Sequence, residues 1–249
     1  MNRISICNIP VDALTMKETI QLIDKAISEM RPIHHVVINA AKVVHAQKDT
    51  ALKESIVSCD IINADGQAIV WAARFLNMPL PERVAGIDLM ENLVKLAAEK
   101  KYRIFFLGAK EEIVQEVVKV YTKKYGKEII AGYRNGYFTK DEEDIVARKI
   151  ADSNANILFV AMSSPKKEIF LNTYKEIIQT PFIMGVGGSF DVVSGLVKRA
   201  PLWLQKIGLE WLYRVIQEPR RMWKRYLFGN SRFIYLILKE KRKQIFKIK

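Results

Sequence analysis

This chain reads as an α/β protein with a Rossmann-like, mostly parallel sheet flanked by helices, and three observations lead there. Six short apolar runs are too continuous for one-sided antiparallel strands. Most of them are followed by stretches of helical period, and the alternation has the spacing of strand–helix–strand units. The charge is lopsided: from Gly195 onward there are 15 Lys+Arg against 3 Asp+Glu, while residues 1–194 are nearly neutral. The third observation adds a basic, amphipathic, helical C-terminal appendage to the α/β body. An apolar content of 49% with 27% charged residues excludes a disordered chain.

The elements follow in order. A helix over 15–30 is predicted by Thr15 as N-cap with Glu18 three residues on, the capping-box spacing. His35–Asn39 and Asp60–Asn63 read as the first two buried strands, followed by helices over 66–77 and 87–100. Arg103–Leu107 is the next strand, then a helix over 111–126, a strand over Ile129–Tyr133 and a helix over 140–153. Asp141, Glu142, Glu143 and Asp144 follow Thr139 and suit the positive end of that last helix better than a metal ion. Ile157–Ala161 and Phe182–Gly185 complete the strands.

After Gly195 the pattern changes, which divides the chain into a 1–194 body and a 195–249 appendage. Leu202–Glu218 reads as one helix with Leu209, Leu212, Val215 and Ile216 along one side. Pro219 suits the first turn of another, in which Met222, Trp223, Tyr226 and Leu227 lie beside Arg221, Lys224 and Arg225. Basic residues interleaved with aromatics suit a phospholipid surface. The apolar run Phe233–Leu238 has six residues, far short of the roughly 20 a spanning helix needs. The expected location is therefore cytoplasmic, peripheral on the inner face of the membrane. Packing of the appendage on the body, or on a second copy in a homo-oligomer, stays open. Two cysteines, Cys7 and Cys59, and an N-terminus without an apolar signal region agree with a reducing compartment.

Candidate chemistry sits where strands end. Asn39, Asp65 with Gly66 behind it, Gly108, and Gly187–Gly188 all follow buried strands, where ligands of parallel sheets bind. Asp65 is placed either to face a crevice or to cap the helix after it. Arg83, in a loop before a helix, suits either a diphosphate or a surface ion pair. His34, His35 and His45 have no partners at ligand spacing, so neither a metal nor any other cofactor is expected. Gly185-Val-Gly-Gly188 lacks the dinucleotide-binding spacing, which disfavours a soluble oxidoreductase.

Nine strings then occur in order: Ile38-Asn-Ala-Ala-Lys42, Asn63-Ala-Asp-Gly66, Arg83-Val-Ala-Gly-Ile-Asp-Leu89, Phe106-Leu-Gly108, Asn135-Gly-Tyr-Phe138, Val160-Ala-Met-Ser-Ser-Pro-Lys166, Met184-Gly-Val-Gly-Gly-Ser-Phe-Asp191, Gly195-Leu-Val-Lys-Arg-Ala-Pro201 and Gly208-Leu-Glu-Trp-Leu-Tyr-Arg214. Together they closely resemble the WecG/TagA/CpsF family of bacterial glycosyltransferases. The resemblance implies an inverting transferase that uses a UDP-sugar donor and an undecaprenyl-diphosphate-linked acceptor at the inner membrane face. In the teichoic-acid branch it implies N-acetylmannosamine (ManNAc) transfer to the 4-hydroxyl of lipid-linked N-acetylglucosamine (GlcNAc), without a metal. Other branches carry mannosaminuronic acid (ManNAcA) or capsular sugars.

Under this resemblance Asp65 becomes the base, and Arg83, Arg214 and Arg221 the cations at the leaving diphosphate. Asn39, Arg83, Gly108, Asn135, Gly136, Tyr137, Lys166, Lys167, Gly187 and Gly188 become substrate contacts. Arg214, Arg221, Lys224 and Arg225 become the lipid-facing set. Two positions depart from the family pattern: Lys167, where Gln is common, and Val37, where teichoic-acid members often have Thr. A lysine at 167 would suit an acidic sugar. A nucleic-acid-binding protein is the reading from another class, prompted by the net charge of +13, but no recognition module is visible. A nucleotide-sugar binding module without catalysis is another, separated from a transferase by the role of Asp65.

Overall fold

The computed structural model describes residues 2–163, 165–217 and 219–247, leaving out the side chains of 206, 214, 220–227 and 247. A hairpin of β1 (Arg3–Ile6) and β2 (Ile9–Asp12) opens the chain, and α1 (Met16–Ser28) follows with its Thr15–Glu18 capping box formed. Next come β3 (Ile33–Ile38), α2 (Ala40–Ala46), α3 (Thr50–Val57), β4 (Ile61–Ala64), α4 (Gln67–Phe75) and α5 (Gly86–Lys100). The chain continues through β5 (Ile104–Gly108), α6 (Glu111–Tyr125), β6 (Ile130–Arg134), α7 (Glu143–Asp152), β7 (Ile157–Ala161), α8 (Lys166–Ile178) and β8 (Phe182–Gly185). It closes with α9 (Ser189–Val193), α10 (Leu202–Lys206), α11 (Glu210–Gln217) and α12 (Pro219–Lys247).

The main sheet has the order β4-β3-β8-β7-β5-β6, and every pairing in it is parallel. Alternate residues of each strand enter different cores, as the two-residue period of a strand requires. Ile104, Phe106, Ile157, Phe159, Phe182 and Met184 pack with α1, α5 and α6, whereas Phe105, Leu107, Leu158, Val160 and Ile183 pack with α7 and α8. Over β3 and β4, that second face is covered by α2, α3 and α4. Phe233 and Ile237 of α12 are buried in this last cluster, so the appendage rests on the body through α2.

Asp12 is fully buried. It accepts two bonds from Arg3, at 2.7 and 3.0 Å, and one from the amide of Ile62 at 2.7 Å. The hairpin thereby covers the outer edge of β4, which would otherwise present unpaired backbone groups. No glycine announces its turn. Cys7 and Asn8 both take left-handed backbone, φ 52° and 60°, and this is why the hairpin escapes a sequence reading. The single helix expected over 202–218 is two, because Gly208 at φ 75° ends α10 and re-aims the chain into α11. Among the described residues no helix is long and apolar enough to cross a membrane.

His35 is buried in β3, with Nε2 2.8 Å from the side-chain oxygen of Asn63, whose side-chain nitrogen donates to the Thr19 hydroxyl of α1 at 3.3 Å. Burial pushes its pKa down to about 4, against the pull of Asn63. The folded protein therefore keeps His35 neutral where the unfolded chain binds a proton. Stability should be lost as pH falls from about 6.5 toward about 4, by up to about 1.4 kcal/mol per pH unit. Melting temperatures across that window should show a shallower fall for His35→Gln; an identical fall in both proteins would remove His35 as the cause.

Candidate active site at the carboxyl edge of the sheet

Parallel pairing puts all six strand ends on one edge, about 24 Å long at ~4.8 Å per strand. From β4 to β6 that edge carries Asp65, Asn39, Gly187–Gly188, Met162–Ser163, Gly108–Ala109 and Asn135–Tyr137. The sequence-predicted residues of the body are thus assembled on one edge but at separate stations. Asn39, Asp65 and Arg83 gather at one end, Gly108 and Asn135–Tyr137 at the other, and Gly187–Gly188 with Lys166 and Lys167 between.

At the first end, backbone bonds fix the side chains. The amide of Asp65 donates to the Ile38 carbonyl and that of Val84 to the Ala64 carbonyl, both at 2.9 Å, so the loop bearing Arg83 is sewn to the end of β4. Gly66, not Asp65, is the N-cap of α4. The half-buried Asp65 carboxylate instead accepts the amide of Gly86, 3.0 Å away, the first residue of α5. The capping alternative for its own helix is thereby excluded, and the positive end of α5 stabilises the carboxylate. Asn39 caps α2 by accepting from the amide of Lys42 at 3.0 Å.

At the far end Gly108 has φ 123°, and a Cβ there would collide with the Ala161 carbonyl. The amide of Ala109 donates to that carbonyl, and the amide of Gly136 donates to the carbonyl of Ala109, both at 2.9 Å. Asn135 donates to Glu111 at 2.6 Å and accepts from the Tyr137 amide at 3.0 Å, leaving the Tyr137 ring exposed. Gly187, at φ 54°, has open space where a side chain would stand. Lys166 is exposed, its ammonium 3.2 Å from the Phe138 carbonyl and 4.7 Å from the Phe138 ring centroid.

Lys167 is buried, and its stem lies where a Cβ on Gly185 would be. Its ammonium and that of Lys42 approach the same oxygen of Glu168, at 3.3 and 3.2 Å. Burial, then the charge of Lys42, lowers the Lys167 pKa to about 8. Burial opposes the Glu168 charge, but the two ammoniums outweigh it and hold its pKa at about 2.

Sequence reasoning missed Asp88, Arg199 and Glu210. Arg83 donates to Glu210 at 3.1 Å and stands 4.0 Å from Asp88. Arg199 grips Asp88 with two bonds, at 2.6 and 2.8 Å, and lies 3.9 Å from Glu210. Burial works against the Arg199 charge, yet Asp88, Glu210 and Asp65 together raise its pKa. The signal available was that all three stand within the nine strings. The side chains of Arg214, Arg221, Lys224 and Arg225 lie outside the described residues. Among the described residues no group of three or more His, Cys, Asp or Glu is placed to hold a metal ion.

Glu168→Gln would leave two ammoniums buried without a counter-charge, so it should cost about 3 kcal/mol of stability. Lys167→Met, which keeps the Lys42–Glu168 pair, should cost less than about 1.5 kcal/mol. Urea midpoints rank the two, and the reverse order would show that the triad is not what holds α8 to α2.

Comparison with known proteins places the chain in a family. The family model described as glycosyl transferase WecG/TagA/CpsF matches residues 4–247. The N-acetylglucosaminyldiphosphoundecaprenol N-acetyl-beta-D-mannosaminyltransferase of Bacillus subtilis (strain 168) is 37% identical over 209 residues, 84% of this chain and 80% of that protein. The protein of that name from Bacillus spizizenii (strain ATCC 23059 / NRRL B-14472 / W23) is 36% identical over 197 residues, 79% of this chain and 75% of that one. With a match running from the first hairpin into α12, this chain belongs to the WecG/TagA/CpsF family of glycosyl transferases.

Proposed function

We propose that this protein moves ManNAc from UDP-ManNAc to the 4-hydroxyl of undecaprenyl-diphosphate-linked GlcNAc, with inversion, making the β-1,4-linked disaccharide on which wall teichoic acid is built. The observation that carries the reading is Asp65, a carboxylate that does not cap its own helix and is held at the sheet edge by the amide of Gly86, where the loop bearing Arg83 is tied to the end of β4. The names of the two relatives support the acceptor and the sugar. Lys167 gives no support to an acidic donor sugar, because its ammonium is committed to Glu168.

In the proposed step the acceptor O4–H gives its proton to Asp65 while O4 bonds to the anomeric carbon. The bond from that carbon to the β-phosphate oxygen breaks on the opposite face, and its electron pair leaves with UDP. The negative charge growing on the diphosphate is met by Arg83, and in this proposal by Arg214 and Arg221 from the tail. Asn39, Gly108, Asn135–Tyr137, Lys166, Gly187 and Gly188 line the edge along which donor and acceptor lie. A lipid-borne acceptor requires a membrane surface, and the tail supplies one side of that contact. Leu196, Leu202, Trp203 and Ile216 expose more than half their surface within a segment rich in Lys and Arg.

Asp65→Asn should keep UDP binding and lose about 10²- to 10⁴-fold in turnover with a short-chain lipid-diphosphate GlcNAc acceptor. Near-normal turnover would remove Asp65 as base, and transfer abolished by EDTA would remove the metal-free mechanism. Vesicles containing anionic lipid should bind the protein and release it as salt rises; RNA or DNA binding of equal strength would turn the basic tail toward nucleic acid instead.

A further inference from the structure

Arg83, Glu210, Arg199 and Asp88 close a ring of alternating charges next to Asp65. Its arms are unequal. The Arg199–Asp88 arm is a short two-bond fork, the strongest geometry available to such a pair. Glu210 is held by one bond to Arg83 at 3.1 Å and a looser approach to Arg199 at 3.9 Å. Among the described residues the buried Nε–H of Arg199 has no hydrogen-bond partner. Three members belong to the body or its junction, whereas Glu210 is the first residue of α11, reached through the bend at Gly208. Of the two carboxylates in the ring, the more weakly held is therefore also the one carried by a separate short helix.

We propose that Glu210 is an internal counter-anion that a bound diphosphate replaces on Arg83 and Arg199, so that the Arg83–Glu210 bond and diphosphate occupancy exclude one another, and α11 gives up its present seat for one that keeps Arg214 at the diphosphate. The proposal rests on the transferase reading for its ligand class. A diphosphate brings at least two negative charges and several acceptor oxygens, enough for the guanidinium fork of Arg83 and the free Nε–H of Arg199 together. Asp88 stays behind as the anchor that keeps Arg199 aimed. Glu210, once displaced, has water and the N-terminus of α11 to stabilise it. The α10–α11 turn packs closely on α4, where a Cβ at Gly208 would lie 2.7 Å from Gln67, so releasing Glu210 frees this contact to shift as well.

The test compares full-length wild type with Glu210→Gln by calorimetry, titrating UDP and inorganic pyrophosphate separately at fixed ionic strength. With the competing carboxylate gone, both ligands should bind about fivefold tighter. Unchanged or weaker binding in the variant would overturn the proposal, since Glu210 would then be positioning Arg83 for its ligand. A variant-free measurement guards against misfolding: pyrophosphate added to wild type should speed chymotrypsin cleavage between Leu202 and Tyr213. Slower or unchanged cleavage also overturns it. Pyrophosphate binding without UDP binding would sink the nucleotide-sugar reading and leave the ring intact; UDP binding of equal strength in both proteins would do the reverse. Binding of neither ligand would sink the ring as an anion seat.

Discussion

A parallel sheet covered on both faces has no place for an unpaired polar group except at the ends of its strands, and this constraint orders the rest of the molecule. β5 and β7 are buried at every residue, and their side chains alternate between two apolar cores. Parallel pairing then delivers six chain exits to one edge. Each exit must turn sharply into a helix, and the turns are made by caps and tight backbone: Asn39 on α2, Gly66 before α4, and Gly108 pressed against Ala161. In the proposed transferase the residues that close these turns are also the ones that face the substrates, so folding and binding would draw on the same short segments.

Charge is handled differently on the two sides of that edge. Below it, Lys42, Glu168 and Lys167 form a closed triad whose ammoniums share one carboxylate oxygen. Such a triad brings no obvious gain in stability over apolar residues, but it commits α8 to α2 in one register. At the rim, Arg83, Arg199, Asp88 and Glu210 are partly open to water, where ion pairs are weak enough to exchange. Burial separates the fixed network from the exchangeable one.

Much of the body was legible in the sequence because its strands are continuous apolar runs and its helices announce their starts. The Thr15–Glu18 and Thr139–Glu142 capping boxes are both formed. What escaped has physical reasons. The β1–β2 hairpin turns on Cys7 and Asn8 rather than on glycine, and α2 and α3 are too short to show a helical period. Asp65 and Arg83 stood out by position, but the capping ambiguity of Asp65 needed the amide of Gly86, 21 residues away, to settle it. Arg199 and Glu210 looked like ordinary tail residues, since their partner Asp88 is brought to them only by the tertiary fold.

The burial of Phe233 and Ile237 against α2 gives the tail a second identity. These two rings and branches are part of the same cluster as Val43, Ile62 and Val70, and Glu240 accepts the Cys7 amide at 2.7 Å, clasping the last helix to the first hairpin. A chain shortened before α12 therefore loses a piece of its interior along with its positive charge. α2, which presents Asn39 to the edge, would then carry a wetted apolar back. Comparing lipid affinity between long and short versions thus also compares a sealed molecule with an opened one, whereas neutralising exposed lysines on an intact α12 alters charge alone.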